Sequence, residues 1–221
     1  PKFSLESEEK RQKEKRREQC RIMVRLSDEN RQRAIFEQYT VFDIDIAKIA
    51  SKYGLYLIGG TAIDLLCNYH SIPFWRSRSN NDFDFWTLFD NQQNTSEFIE
   101  HIRDSFRFDI EEDSDYMITL ESNYVKADVD ILIDRDYNNK QFTHFIGGIN
   151  VMSPIYLFSS KFDRYINCSN IQRKEIDFKD LRTLLSIIEK INGLDDLEYH
   201  LSSLNYDQKA ENMLNSIIAS L

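Results

Sequence analysis

Asp82-Phe83-Asp84 sets two carboxylates two residues apart in a run that alternates acid and aromatic. In a strand such residues project from one face, while Phe83 and Phe85 project from the other toward a core. Two like charges at this spacing repel unless water or a cation lies between them. The run therefore admits two readings, a half-exposed strand or a pair of metal-binding acids. Asp128-Val129-Asp130-Ile131-Leu132-Ile133 repeats the alternation in a more apolar setting. Burial is expected there, and a buried acid needs a partner. Gly59-Gly60-Thr61 is the third feature. A glycine pair between strand and helix permits a sharp turn and close backbone approach, and it leaves N–H groups at a helix N-terminus, where phosphate binds. No Gly-x-x-x-x-Gly-Lys or Gly-x-Gly-x-x-Gly run accompanies it, so neither the P-loop nor the dinucleotide fingerprint applies.

The elements that must position these residues follow from periodicity. Residues 7–25 have helix-forming composition, and a second helix is expected from Ser27-Asp28 through Ile35, Tyr39, Phe42, Ile46 and Ile49 to Gly54. Leu55 to Ile58 reads as a short strand entering the glycine turn, and Thr61 to Tyr69 as the helix beyond it. After a polar loop and the Asp82 strand, Asn94 and Thr95 are expected to cap a helix through Phe98, Ile99 and Ile102. Phe106 to Ile110, Tyr116 to Leu120 and Tyr124 to Ile133 read as strands joined by hairpins, with more strand between Phe142 and Met152. Ser153-Pro154 predicts a capped helix. A further helix is expected to start at Asp177 and close at Asn192-Gly193, followed by helices from Asp195 and from Asp207. The pattern predicts an α+β protein: a mixed β-sheet with flanking helices and a C-terminal helical bundle.

Composition narrows the class. The 221 residues include 28 aromatics but only six Gly and three Pro, enough for a core and unlike a low-complexity chain. No run approaches the roughly 18–20 apolar residues of a membrane span. The charged N-terminus shows no apolar leader, so no secretion signal and no membrane partner are expected. Cys20, Cys67 and Cys168 are odd in number and widely spaced, as reduced thiols of a cytoplasmic protein would be. The net charge of −9 is uneven, with residues 1–33 carrying 11 Lys/Arg against 7 Asp/Glu and the remainder 17 against 30. An acidic body suits a cation-concentrating site better than a broad polyanion surface. The basic first segment reads either as a solvated helix or as a local nucleic-acid contact. The four histidines show no ligand spacing, no Ser-His-Asp or Cys-His pattern stands out, and Phe74-Trp75-Arg76 reads as a base-stacking segment or a loop covering the core.

The order of these pieces carries more than any one of them. A strand into Gly59-Gly60-Thr61, a helix, Arg78-Ser79-Asn80-Asn81-Asp82-Phe83-Asp84-Phe85 and a later strand with Asp130 resemble the nucleotidyltransferase (polymerase-beta-like) superfamily. The Arg-x-(Ser/Thr)-x-Asp-x-Asp form is most similar to the AbiEii-type toxin nucleotidyltransferases of bacterial toxin–antitoxin and abortive-infection systems. Lys161 after Ser153-Pro154, and Lys179-Asp180-Leu181, resemble that branch's C-terminal motifs. The resemblance covers about residues 55–190. Three departures stand out: Asn80 where the branch has Ser or Thr, a long stretch between Gly60 and Asp82, and Thr183 where a second Asp is expected.

The resemblance implies a division into a charged helix (residues 1–26), a nucleotidyltransferase-like domain (27–152) and a helical bundle (153–221). It implies that Asp82, Asp84 and Asp130 are catalytic and hold Mg2+ (or Mn2+), with two ions roughly 3.5–4 Å apart clamping an in-line displacement. Asp130 is preferred to Asp128 because an apolar pair, Ile131-Leu132, follows it. Gly59, Gly60 and Thr61 would contact the phosphates of an NTP, Lys161 would reach across from its helix to neutralise them or else stay a solvated lysine beside Asp163 and Arg164, and Arg78 would bind nucleotide or position the acids. Asp128, Lys179 and Asp180 are secondary candidates, Asp180 reading equally as a helix-start acid. The implied activity is transfer of a nucleoside monophosphate to the hydroxyl of an RNA end, a protein side chain or a small molecule, with an antitoxin as a partner. The alternative is a non-catalytic module that keeps the fold for binding.

Overall fold

Apolar alternation and apolar stripes sort the chain into seven strands and seven α-helices among the described residues. The computed structural model describes residues 41–75, 82–125, 127–134, 143–204 and 206–219, all within the unit Val41–Leu221. The expected helices before residue 41, Cys20, Arg76, Arg78 and Asn80 lie outside these residues.

Helix α1 (Val41–Lys52) leads into β1 (Tyr56–Ile58), which passes without a linker into α2 (Gly59–His70). Strand β2 (Asp82–Leu88) is followed by a 3-10 turn (Phe89–Asn91) and α3 (Gln92–Phe106). Three strands come next: β3 (Asp109–Asp113), β4 (Met117–Ser122) and β5 (Ala127–Asp134). The hairpin β6 (Thr143–Ile146) and β7 (Ile149–Met152) precedes four helices: α4 (Pro154–Asn167), α5 (Ile171–Lys190), α6 (Leu194–Ser202) and α7 (Gln208–Ile218). The strands form one mixed sheet in the order β3-β4-β5-β2-β1-β7-β6. Its centre is the parallel pair β2 and β5, flanked by antiparallel β4 and β1.

The aromatic half of the alternation holds this centre. Phe83, Phe85, Val129 and Ile131 are all buried on one face, and the α3 residue Phe98 meets Phe85 edge-on at 5.7 Å. Each such side chain contributes about 1.5–3 kcal/mol on leaving water. That burial fixes the register, because a one-residue slip would turn Phe83 and Phe85 outward and carry the acids into the core.

Side-chain caps start three of the four C-terminal helices, α4, α5 and α7. Ser153 Oγ accepts from the Tyr156 N–H at 3.2 Å and Pro154 occupies the first turn of α4. Helix α4 packs on α5, and α5 on α2, beside the sheet. Helix α5 starts at Ile171, six residues before the expected Asp177, and Asn170 caps it through the Arg173 N–H at 3.0 Å. Its first turn is Gln, Arg, Lys and Glu around an exposed Ile171, so no apolar stripe marks the start. Asp177 and Asp180 are therefore helix-interior residues. The asparagine at the other end behaves as expected, with Asn192 at φ 57° and the Gly193 N–H on Ile188 O at 2.8 Å.

Two more boundaries differ. Helix α3 starts at Gln92, fed directly by the 3-10 turn, so Asn94 and Thr95 are not its caps; Thr95 Oγ1 donates to Asn91 O at 3.0 Å instead. Phe106 ends α3, Arg107 turns the chain at φ 58°, and β3 begins only at Asp109. The apolar residues expected to start a strand close a helix and its turn.

Candidate active site

The parallel pairing of β2 and β5 brings the acids together. Asp82 is in register with Asp128, and Asp84 with Asp130. Paired residues on neighbouring strands share a face, so all four carboxylates stand on the side opposite Phe83 and Phe85. Strand β4 adds Thr119 opposite Asp130, and its hydroxyl donates to Asp130 Oδ1 at 2.7 Å. Burial pushes the Asp84 carboxyl above the usual range, and the charges of Asp130 and Asp82 push the same way against Lys161 and Arg164. Asp128 is raised too, through partial desolvation and the charges of Asp82 and Asp130. The acids continue outward along the sheet: Glu121 pairs with Asp128, and Asp109 with Glu121, so Asp82, Asp128, Glu121 and Asp109 make one exposed row across four strands.

The start of α2 faces these acids. Gly59 has φ +68°, a conformation that side chains disfavour. Asp84 occupies the space where a side chain would begin. Thr61 Oγ1 donates to the carbonyl of Asp82 at 3.0 Å and ties the first turn of α2 to the start of β2. Ile58, at the N-cap, makes no side-chain cap bond, and the positive end of the helix dipole is directed at the cleft.

The third wall comes from α4 and α5. Lys161 is only 6% exposed, so the alternative of a solvated lysine does not hold. Its Nζ donates to Asp180 Oδ2 at 2.8 Å and lies 3.7 Å from Asp177 Oδ1. One turn on, Arg164 grips Asp177 through Nε at 2.9 Å and through a second, Nη2 bond. Two cations three residues apart on α4 thus face two acids three residues apart on α5, each pair on one helix face. Burial lowers the Lys161 ammonium below its ordinary value, and Asp180 opposes that shift. For Arg164 burial is outweighed by Asp177, which with Asp180 and Asp84 holds the guanidinium above its usual value.

These walls enclose a cleft of about 530 Å3. Gly59, Gly60, Thr61, Asp82, Asp84, Asp128, Asp130 and Lys161 all line it. Asp180 stands behind Lys161, and Lys179 is exposed, paired with Glu175 at 2.8 Å and poised over the Trp75 ring at 5.1 Å. Arg78 lies outside the described residues. Phe74, from the segment read as base-stacking or core-covering, lines the cleft, and so do Asp64, Tyr156, Arg164 and Arg173, which sequence reasoning did not place in a site; nor did it place Thr119 and Asp177, which brace it. For Arg164 and Asp177 the signal was present: each lies three residues from a residue already singled out.

Among the described residues no three His, Cys, Asp or Glu side chains form a ready-made metal cluster. Asp82, Asp84 and Asp130 nevertheless offer hard oxygen donors, and the mutual repulsion felt by Asp84 is of the kind a cation relieves. Mg2+ commonly takes one or two carboxylates and completes its shell with water and substrate phosphate rather than a protein cage. The donor set fits that mode. Cys67, near Asp64 and Asp180, is pushed by burial to about 12 and stays a thiol.

The mixed sheet and its flanking helices define a nucleotidyltransferase-like fold. Among solved structures, the crystal structure of ANT(2")-Ia in complex with adenylyl-2"-tobramycin matches with a TM-score of 0.51 at 15% identity, over 72% of this chain and 94% of that one. Megavirus polyadenylate synthase matches with a TM-score of 0.49 at 18% identity, over 77% of this chain and 36% of that one. An antigenic nucleotidyltransferase-like protein from Paracoccidioides brasiliensis gives 0.46 at 16%, over 80% and 92%. No protein-family model and no curated protein matches the chain.

Proposed function

We propose that this protein is a divalent-cation-dependent nucleotidyltransferase that moves a nucleoside monophosphate from an NTP to an acceptor hydroxyl. The observation that supports it best is the pairing of Asp84 with Asp130 on adjacent parallel strands, two residues from Asp82, with Asp84 against Gly59 at the start of α2. In this reading Asp82, Asp84 and Asp130 hold Mg2+ or Mn2+, which supplies positive charge to the phosphate oxygens when bound. The Gly59-Gly60-Thr61 backbone and Lys161 bind the triphosphate. The acceptor oxygen attacks the α-phosphorus as its bond to pyrophosphate breaks, and Asp130, fixed by the Thr119 hydroxyl, takes the acceptor's proton.

The sequence motifs around Asp82, Lys161 and Lys179-Asp180-Leu181 support a place near the AbiEii-type toxins. A toxin with an antitoxin partner, acting in the cytoplasm on RNA, protein or a small molecule, is accordingly part of the reading. The test is transfer of label from each α-labelled NTP, with Mg2+ or Mn2+, to total RNA, to extract protein or to small molecules. Label should enter one acceptor class with wild type and none with Asp84→Asn. Melting temperature should rise with cation plus NTP, by about 2.7 kcal/mol of stabilisation at a hundredfold excess over Kd. No transfer and no rise with any NTP would leave a non-catalytic binding module.

A further inference from the structure

We propose that Trp75 is a positioning residue of the nucleotide site, acting on Lys161 through Asp180. The inference rests on the nucleotidyltransferase reading and adds a residue that stands outside its motifs. The Trp75 indole Nε1–H donates to Asp180 Oδ1 at 2.9 Å, and Asp180 Oδ2 accepts from Lys161 Nζ at 2.8 Å. One carboxylate thus joins the segment after α2, where Trp75 lies, to α5 and α4. Asp180 is fully buried, so each of its oxygens needs a donor, and the positions of those donors set the angle of the carboxylate.

The angle matters because Lys161 serves two sides. Its ammonium has three N–H donors. One goes to Asp180, while the side chain lines the cleft beside Asp84 and Arg164. With the indole holding Oδ1, Oδ2 anchors the ammonium at the cleft wall and leaves donors for a triphosphate. Without the indole, Oδ1 loses that donor, and the carboxylate turns to take more of the ammonium. Asp180 then competes with the nucleotide. Trp75 is itself clamped, with Lys179 Nζ 5.1 Å from its ring centre.

Trp75→Phe separates this role from packing. The phenyl ring still lies under Lys179, and the 37% exposure of the tryptophan means little core is lost. The expected result is a KM for NTP raised about tenfold, with kcat changed less than about threefold, since the contact concerns triphosphate binding. The chain has two tryptophans, so its 15N spectrum holds two indole signals, and Trp86→Phe identifies that of Trp75. In wild type this signal should shift on titration with Mg2+ and NTP, with the same midpoint as the rise in melting temperature. An unchanged KM in Trp75→Phe, or an indole signal that ignores NTP at concentrations that stabilise the wild type, would overturn the inference. A wild type that neither binds nor turns over any NTP would overturn the parent reading, a failure seen in the wild-type control alone.

Discussion

Asp84 rests against Gly59 so closely that a Cβ at Gly59 would stand 1.8 Å from its Oδ2 and 2.7 Å from its carboxyl carbon. The glycine is therefore part of the carboxylate's seat as well as of the turn. Gly59→Ala should displace Asp84 and cost about 1–3 kcal/mol for the left-handed backbone, or roughly 2–12 °C in melting temperature for a domain of this size. The stabilisation by Mg2+ and NTP should vanish. Retention of that stabilisation would show that Asp84 does not hold the nucleotide's cation.

Asp84→Asn should stabilise the protein in the absence of divalent cation. The native carboxyl is raised by burial and by Asp130 and Asp82, so its ionised form opposes folding at neutral pH. As pH falls through the raised native value the proton is taken up and that penalty disappears. The melting-temperature advantage of Asp84→Asn should be largest near pH 7 and shrink on acidification. An advantage that stays constant with pH would mean that packing, not charge, sets it.

Lys161→Met should be costly to the fold, because Asp180 and Asp177 are fully buried and lose a counter-charge. Breaking a buried pair from one side costs about 3–5 kcal/mol. Lys161→Met combined with Asp180→Asn removes the orphaned charge while keeping an acceptor for Trp75, and denaturant unfolding should recover a large part of the loss. A double variant as unstable as the sum of the singles would show that the pair does not couple.

Ser153→Ala tests the entrance to α4 alone. Loss of the cap on the Tyr156 N–H should cost about 1 kcal/mol, with KM for NTP unchanged if only the helix end frays. A larger KM effect would mean that the cap also sets the height of Lys161.

The central sheet was legible because period-two alternation and burial coincide at Phe83, Phe85, Val129 and Ile131, and the acids then had one face left to occupy. The glycine turn was legible from its place between strand and helix. The start of α5 was not, since its polar first turn carries no stripe and its cap, Asn170, lies in a polar stretch like any other. That error hid the partnership of Lys161 with Asp180, because Asp180 read as a helix-start acid or a site residue and Lys161 as a phosphate-binding or solvated side chain, never as partners. Thr119 and Trp75 act through contacts 11 and 105 residues away in sequence. Such pairings come from strand register and helix packing, which local composition does not encode.

In the proposed reaction, the row of Asp82, Asp128, Glu121 and Asp109 across four strands bears on how fast an acceptor arrives. A nucleic acid approaching along this face meets a field of its own sign, which slows encounter at low ionic strength and relaxes within a Debye length of about 8–10 Å as salt is added. Protein–polyanion association ordinarily shows the opposite trend, weakening as salt rises. For an RNA acceptor crossing this face, added salt should quicken capture; a cationic acceptor should be captured more slowly.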